Sequence, residues 1–422
     1  MTVRTSITSR PGIDWRDLAS RALHSPWGWI GAGALLRLVH IMTMGNHYYF
    51  GDTVEYEAAA LRLLHGIGFD QGAPRAPLYP ILMAISFWIG GESHYLATRV
   101  LTLALGIALM VVAAKLAERF GGRPAAILAA IGMAFSPTIA FVSGLLYPTT
   151  LYMLLLISFT LVAWDVTVRP TLGRGAALGG LLALGWLTDQ VFLAPAFAVG
   201  VWLVLRRKRP LAPYVRSLAA AALVAAVIGF PYARMLQRAG GDGVFMRKAQ
   251  TVLYSARTDP VLASDRWIKI PPGTPFKPYS PRGFLRSEFE LFTREPVAYV
   301  HDWLSEFLHF FRPIADRLQA KNVYTQWLIL FFGGVHFVAL LTLAVLGFGF
   351  GLGPRSGRAL LATVVLSTAV FYSFFFTQTR YRIPVECHLV VLAALGVQRA
   401  FPRATGWLAG ADASRDPART ET

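Results

Sequence analysis

The stretch "YYFGDTVEYEAAALRLLHG" (48–66) sets two carboxylates, Asp52 and Glu55, at helical spacing beside tyrosines, in a chain that is 55% hydrophobic and only 15% charged. A carboxylate next to low-dielectric surroundings can take a proton from an attacking hydroxyl, so Asp52 is the first candidate for a catalytic general base and Glu55 the second. The competing reading is structural. Asp52 followed three residues later by Glu55 has the form of a capping box at a helix N-terminus, with Glu55 as the reciprocal cap. Tyr56, Ala60, Leu63 and Leu64 then form an amphipathic stripe suited to lying on a membrane surface.

Arginines supply the complementary charge. Arg75 stands between prolines in "GAPRAPLYP" (72–80), and "FFFTQTRYRIPVECH" (374–388) holds Arg380 and Arg382 around Tyr381, just before Pro384 opens an apolar run. A guanidinium stays charged and offers paired donors that match a phosphate. Read as an extended segment, 380 and 382 face one side, so both are candidates with Arg75 for a lipid-linked phosphate; snorkelling to lipid headgroups is the plainer alternative. Tyr56, Tyr147 (in "LLYPTT", 145–150) and Tyr381 are the candidate substrate-binding rings. Arg37, within the first apolar run, calls for a partner inside a bundle, and Glu386 is expected to pair with Arg37 or Arg382. Asp189, in "TDQ" (188–190), reads equally as a turn residue. A divalent metal stays open, with Asp52 and Glu55 the only nearby hard oxygen ligands.

The elements that must carry these groups are membrane spans. A run of about 20 apolar residues crosses a bilayer as a helix. Such runs are 27–45, 97–117, 124–142, 149–165, 174–188, 191–205, 214–232, 324–347, 359–376 and 384–400, which predicts an all-α polytopic bundle of about ten spans. The short run 77–91, opened by two prolines, reads as an interfacial helix. The formal net charge of +17 does not point to nucleic acid, since the basic residues sit in short connections, as membrane topology requires, and no nucleic-acid-binding pattern is present. The lone Cys387 excludes an internal disulfide.

Lysines and arginines cluster in 1–26, 115–123, 165–174, 206–216, 353–358 and the tail, which places both termini in the cytoplasm by the positive-inside rule. The opposite, external face then collects the first loop 46–96, Tyr147, Asp189, the long connection 233–323 and residues 377–382. The chain accordingly divides into a cytoplasmic segment 1–26, a core 27–232, the external loop 233–323, C-terminal spans 324–400 and a cytoplasmic tail 401–422. The aromatic and basic loop 233–323, with its proline-rich "IPPGTPFKPYSPRG" (270–283), reads as the part that contacts an acceptor or covers the site. Polar groups crowded at one face suit an enzyme better than a carrier, which needs them at mid-membrane between repeated halves.

These blocks, "GDTVEYEAAALRLLHG" with "RAPLYP", "SPTIAFVSGLLYPTTLYM" (136–153), "REPVAYVHDWLSEFLHFFRP" (294–313) and "TRYRIPVE" (379–386), resemble the GT-C superfamily of membrane glycosyltransferases. The likeness is to bacterial relatives of protein O-mannosyltransferases and of the lipid A aminoarabinose transferase. The resemblance implies a catalytic aspartate in the first external loop, matching Asp52, a polyprenyl-phosphate monosaccharide donor and inversion at the anomeric carbon. It implies a site on the outer face of a bacterial inner membrane, with a lipid, polysaccharide or protein as hydroxyl acceptor. Two departures stand. Thr149 and Thr150 occupy the place of an acidic residue of the second loop, and 230–243 lacks an arginine-asparagine pair. A lipid or sugar flippase and a noncatalytic cell-envelope subunit therefore remain alternatives.

Overall fold

A computed structural model describes residues 22–49, 51–69, 75–206, 211–238, 281–313, 323–375 and 377–408. The segments 1–21, 239–280 and 409–422 lie outside the described residues, and with them most of the expected N-terminal segment and tail and most of the proline-rich stretch. Every described element is helical, as lipid demands of a backbone that must satisfy its own hydrogen bonds. Six helices are long and apolar enough to cross a membrane by length and composition, among the described residues, and the chain is a polytopic membrane protein.

Helix α1 (Pro26–Thr43) starts on a Ser25 cap with proline at its first position. Two short helices follow, α2 (Thr53–Leu64) and α3 (Leu78–Gly90). At 13 residues, α3 rises only about 20 Å, too little for a hydrocarbon core near 30 Å. The stripe of α2 does not face the membrane surface: Tyr56 and Ala60 are buried against the protein, with Tyr56 edge-on to Tyr79 of α3 at 5.5 Å.

The next element, α4 (Tyr95–Phe135), is two arms broken at Gly122, whose φ of 71° lies in the region that only glycine occupies readily. A side chain at Gly33 of α1 would strike Met110 on one arm and Ala134 on the other, so both arms pack on α1. The expected span 124–142 is not one helix. It stops at Phe135, and Ser136 with Pro137 starts the short α5 (Pro137–Val142), the serine side chain accepting from the Ile139 amide. Proline cannot donate in the helix interior, and the residue before it leaves the helical region.

The remaining expected spans appear as α6 (Thr149–Val168), α7 (Leu172–Thr188), a 3₁₀ turn (Gln190–Phe192) running into α8 (Leu193–Leu205), α9 (Leu211–Arg238), α12 (Val323–Phe350), α13 (Arg355–Ser373) and α14 (Ile383–Ala400), closed by α15 (Pro402–Leu408). The connection 233–323 is not a plain loop, for it contains α10 (Pro281–Arg294) and α11 (Pro296–Phe310). Helix α14 is central and mostly buried inside the protein, whereas α9 is peripheral and mostly uncovered by it.

Basic connections gather at one end of the bundle. Arg119 pairs with Asp165 at 3.8 Å, Arg123 donates to the His24 carbonyl, and Gly353 abuts the Phe120 backbone. The candidate site lies at the other end.

Candidate functional site

Asp52 precedes α2 with its backbone already helical, and its side chain makes no capping hydrogen bond. The capping-box reading therefore fails. The carboxylate is turned to other elements instead. One oxygen lies 3.6 Å from the Arg75 guanidinium, and the other lies 3.6 Å from that of Arg380 and accepts from the Tyr147 hydroxyl at 3.2 Å. Glu55, one turn on, takes the Arg75 Nε–H at 2.5 Å. Four segments thus meet at one carboxylate: the start of α2, the approach to α3, the α5–α6 connection and the approach to α14.

Local sequence explains each placement. Pro77 stands at the N-cap of α3 and Pro148 at that of α6, which restricts Ala76, the link from Arg75 to α3, and Tyr147. The Thr53 hydroxyl donates to the Leu146 carbonyl at 3.3 Å, tying α2 to the Tyr147 segment. Aromatic rings wall the site. Tyr56 is edge-on to Tyr147 at 5.5 Å, Arg75 lies over the Tyr56 ring at 5.0 Å, and Tyr381 stacks on Tyr372 at 4.4 Å.

Burial pushes the Tyr56 and Tyr147 phenols above their ordinary value, so both stay neutral and Tyr147 stays a donor to Asp52. For Arg75, burial alone would favour the neutral form, but the hydrogen bond it donates to Glu55 and the neighbouring Tyr56 and Asp52 outweigh it and hold the guanidinium charged. Among the described residues no three histidine, cysteine, aspartate or glutamate side chains form a group that could hold a metal. A divalent cation at Asp52 and Glu55 would have to displace Arg75 from both.

Arg380 and Arg382 do not share a face. Residues Thr379–Arg382 form a 3₁₀ turn, not an extended strand. Three residues per turn send side chains two apart in different directions. Arg380 reaches Asp52, while Arg382 turns into the bundle, where its Nε–H donates to Glu386 at 3.2 Å. Glu386 thus takes the second of its two expected partners. Among the described residues Arg37 finds no carboxylate: its fully buried guanidinium donates to Ser143 and to the carbonyls of Gly33, Met133 and Ala134. The last two carbonyls belong to the C-terminal turn of α4, where no intrahelical donor is available.

One acidic residue escaped sequence reasoning, and another, Asp189, serves the turn role the sequence allowed it. Glu306 of α11 accepts the Thr377 amide at 2.6 Å, bringing the 233–323 connection onto the segment that carries Arg380. No local pattern marks it, because its partner lies 71 positions away. Asp189 caps the 3₁₀ turn through the Val191 amide at 3.0 Å, while Gln190 donates to the Tyr232 hydroxyl at 2.9 Å.

No protein-family model matches the chain, and no curated protein matches it. Solved structures do. ArnT from Cupriavidus metallidurans aligns in the apo state with a TM-score of 0.54 and 15% identity over 90% of this chain. The same enzyme bound to undecaprenyl phosphate aligns with a TM-score of 0.56 at 15% identity and 90% coverage. The Archaeoglobus fulgidus oligosaccharyltransferase tethered with an acceptor peptide aligns at 0.48 and 13% identity, over 90% of this chain and 50% of its own. This chain spans 62% of the length of ArnT. The chain shares the fold of ArnT, in agreement with the GT-C resemblance carried by the sequence blocks.

Proposed function

We propose that this chain is a membrane glycosyltransferase that moves one sugar from a polyprenyl-phosphate monosaccharide to an acceptor hydroxyl, with inversion. The observation that carries the reading is the Asp52 carboxylate set 3.6 Å from each of two arginines at one rim of the bundle. A base and phosphate-holding cations within one sugar's width are what such a transfer needs.

In this scheme Arg75 and Arg380 hold the donor phosphate and the charge it gains as it departs. Tyr56, Tyr147 and Tyr381 line the sugar's approach, and Tyr147 orients Asp52. Asp52, not Glu55, is the base, since Glu55 is committed to Arg75. The acceptor O–H proton passes to an Asp52 oxygen as the acceptor oxygen bonds to the anomeric carbon. The bond from that carbon to the phosphate oxygen breaks, and polyprenyl phosphate leaves with both electrons. The leaving group is already a phosphate, so no general acid is required. The acceptor is a membrane-proximal hydroxyl compound: a lipid, a polysaccharide or a protein. The segregation of lysine and arginine to the opposite end supports a site on the external face of a bacterial plasma membrane.

The test is to incubate the purified protein in lipid nanodiscs with polyprenyl-phosphate sugars and measure release of polyprenyl phosphate. Release that depends on Asp52 supports the scheme. Translocation of an intact donor in proteoliposomes, without release, replaces it with a flippase.

A further inference from the structure

A fully buried ion pair, Arg382 with Glu386, lies one helical turn from the phosphate site and takes no part in the chemistry above. Arg382 is 6% exposed and Glu386 not at all. A buried pair is poor evidence of a stabilising device, because well-packed apolar residues would serve as well, and ionisable groups within membrane helices are usually kept for function. The contacts say which. The Arg382 guanidinium bridges two elements at once, donating from Nε to Glu386 of α14 at 3.2 Å and from Nη1 to the carbonyl of Arg312, just past α11. It also lies over the Phe337 ring of α12 at 3.6 Å.

The segment it anchors is short and held along its length. Thr377 is fixed by Glu306 of α11 through its amide, Tyr381 is stacked flat on Tyr372 of α13, and the Tyr381 amide closes the turn onto the Gln378 carbonyl at 2.9 Å. Every side chain in this turn that is tied to the bundle leaves one arginine aimed at the rim, and that is Arg380, 3.6 Å from Asp52.

We infer that Arg382 and Glu386 are positioning residues: by clamping the Thr379–Arg382 turn to α11 and α14, they aim Arg380 at the donor phosphate. This rests on the reading of Arg380 as a phosphate ligand. It also reverses the role that extended backbone would give Arg382, whose guanidinium turns into the bundle to Glu386 and the Arg312 carbonyl. Because the clamp includes α11, the orientation of Arg380 depends on how the 233–323 connection seats on the bundle.

The experiment is a double-mutant cycle on binding of undecaprenyl phosphate, read by intrinsic tryptophan fluorescence in nanodiscs, with thermal unfolding as the control for folding. Arg382→Lys keeps the charge but loses the fork that spans Glu386 and the Arg312 carbonyl. Glu386→Asp keeps the charge and withdraws the carboxylate by one carbon, which provides a second route where one variant folds poorly. Each single variant, like Arg380→Gln, is expected to weaken binding by about tenfold. The decisive result is the double variant. If the pair acts through Arg380, R380Q/R382K binds no more weakly than R380Q alone. Additive losses mean that Arg382 contacts the phosphate itself, and unchanged binding by R382K and E386D means the pair only packs; either overturns the inference while leaving the glycosyltransferase reading intact. Undiminished binding by R380Q overturns both.

Discussion

Replacing Asp52 by asparagine separates catalysis from binding, because the substitution keeps shape and removes only charge and basicity. The amide oxygen can still accept from Tyr147, 3.2 Å away in the wild type. As the base, Asp52 is worth roughly 10²–10⁴ in rate, so turnover at saturating donor should fall about 10³-fold, near 4 kcal/mol of transition-state stabilisation. Donor affinity should move the other way. A unit pair at 3.6 Å is worth about 4–5 kcal/mol at an effective dielectric constant near 20. Asp52 and Arg380 are 31% and 34% exposed, however, and solvent screening cuts such a pair to about 1 kcal/mol or less. Arg75 keeps Glu55 at 2.5 Å, so the guanidinium released is chiefly that of Arg380. The phosphate no longer competes with Asp52 for it, and D52N should bind polyprenyl phosphate as tightly as wild type or up to about fivefold more tightly. The assay pairs chromatographic release of polyprenyl phosphate with a tryptophan-fluorescence titration of the same lipid. Turnover within about tenfold of wild type would refute the base assignment. A loss of affinity as large as the loss of rate would show that Asp52 merely holds the arginines in place.

Arg75→Lys removes the planar fork that meets Glu55 and Asp52 together, and should raise the donor KM about tenfold with a smaller effect on kcat, read from initial rates across donor concentration. Tyr147→Phe deletes one hydrogen bond to a carboxylate and should lower kcat by about tenfold at unchanged thermal stability. With Tyr147 pushed up by burial from its ordinary value of 10.0, the wild-type pH–rate profile should show no alkaline loss attributable to that phenol at or below pH 10, since the proton is held, not released, there. Arg37→Met leaves the Met133 and Ala134 carbonyls without their donor and should destabilise the protein by about 3 kcal/mol, seen as a lower unfolding temperature in detergent.

Much of the architecture was legible because a bilayer imposes a length and a hydropathy on every crossing. Each expected span contains a helix, although α8, like α3, has only 13 residues, short of a full crossing. Where proline or glycine breaks a helix, as at Pro137 and Gly122, apolar content alone carries no signal, and the 124–142 assignment failed for that reason. The site was half legible. Asp52, Arg75 and Arg380 drew notice as charges in an oily chain, and they do converge. Their convergence with Tyr147 spans 95 positions between Tyr147 and Asp52, which no spacing rule reaches.

Composition by itself determined that this chain is a helical membrane protein whose uncommon charges need partners, since an unpaired charge away from water is too costly to keep. Only the tertiary structure decided which partner each charge takes. Backbone carbonyls at a helix end satisfy Arg37, a 3₁₀ turn parts Arg380 from Arg382, and an acid from a distant helix fixes Thr377. Pairing depends on directions in space, and a turn of one or two residues redirects a side chain while leaving the apolar pattern on either side unchanged.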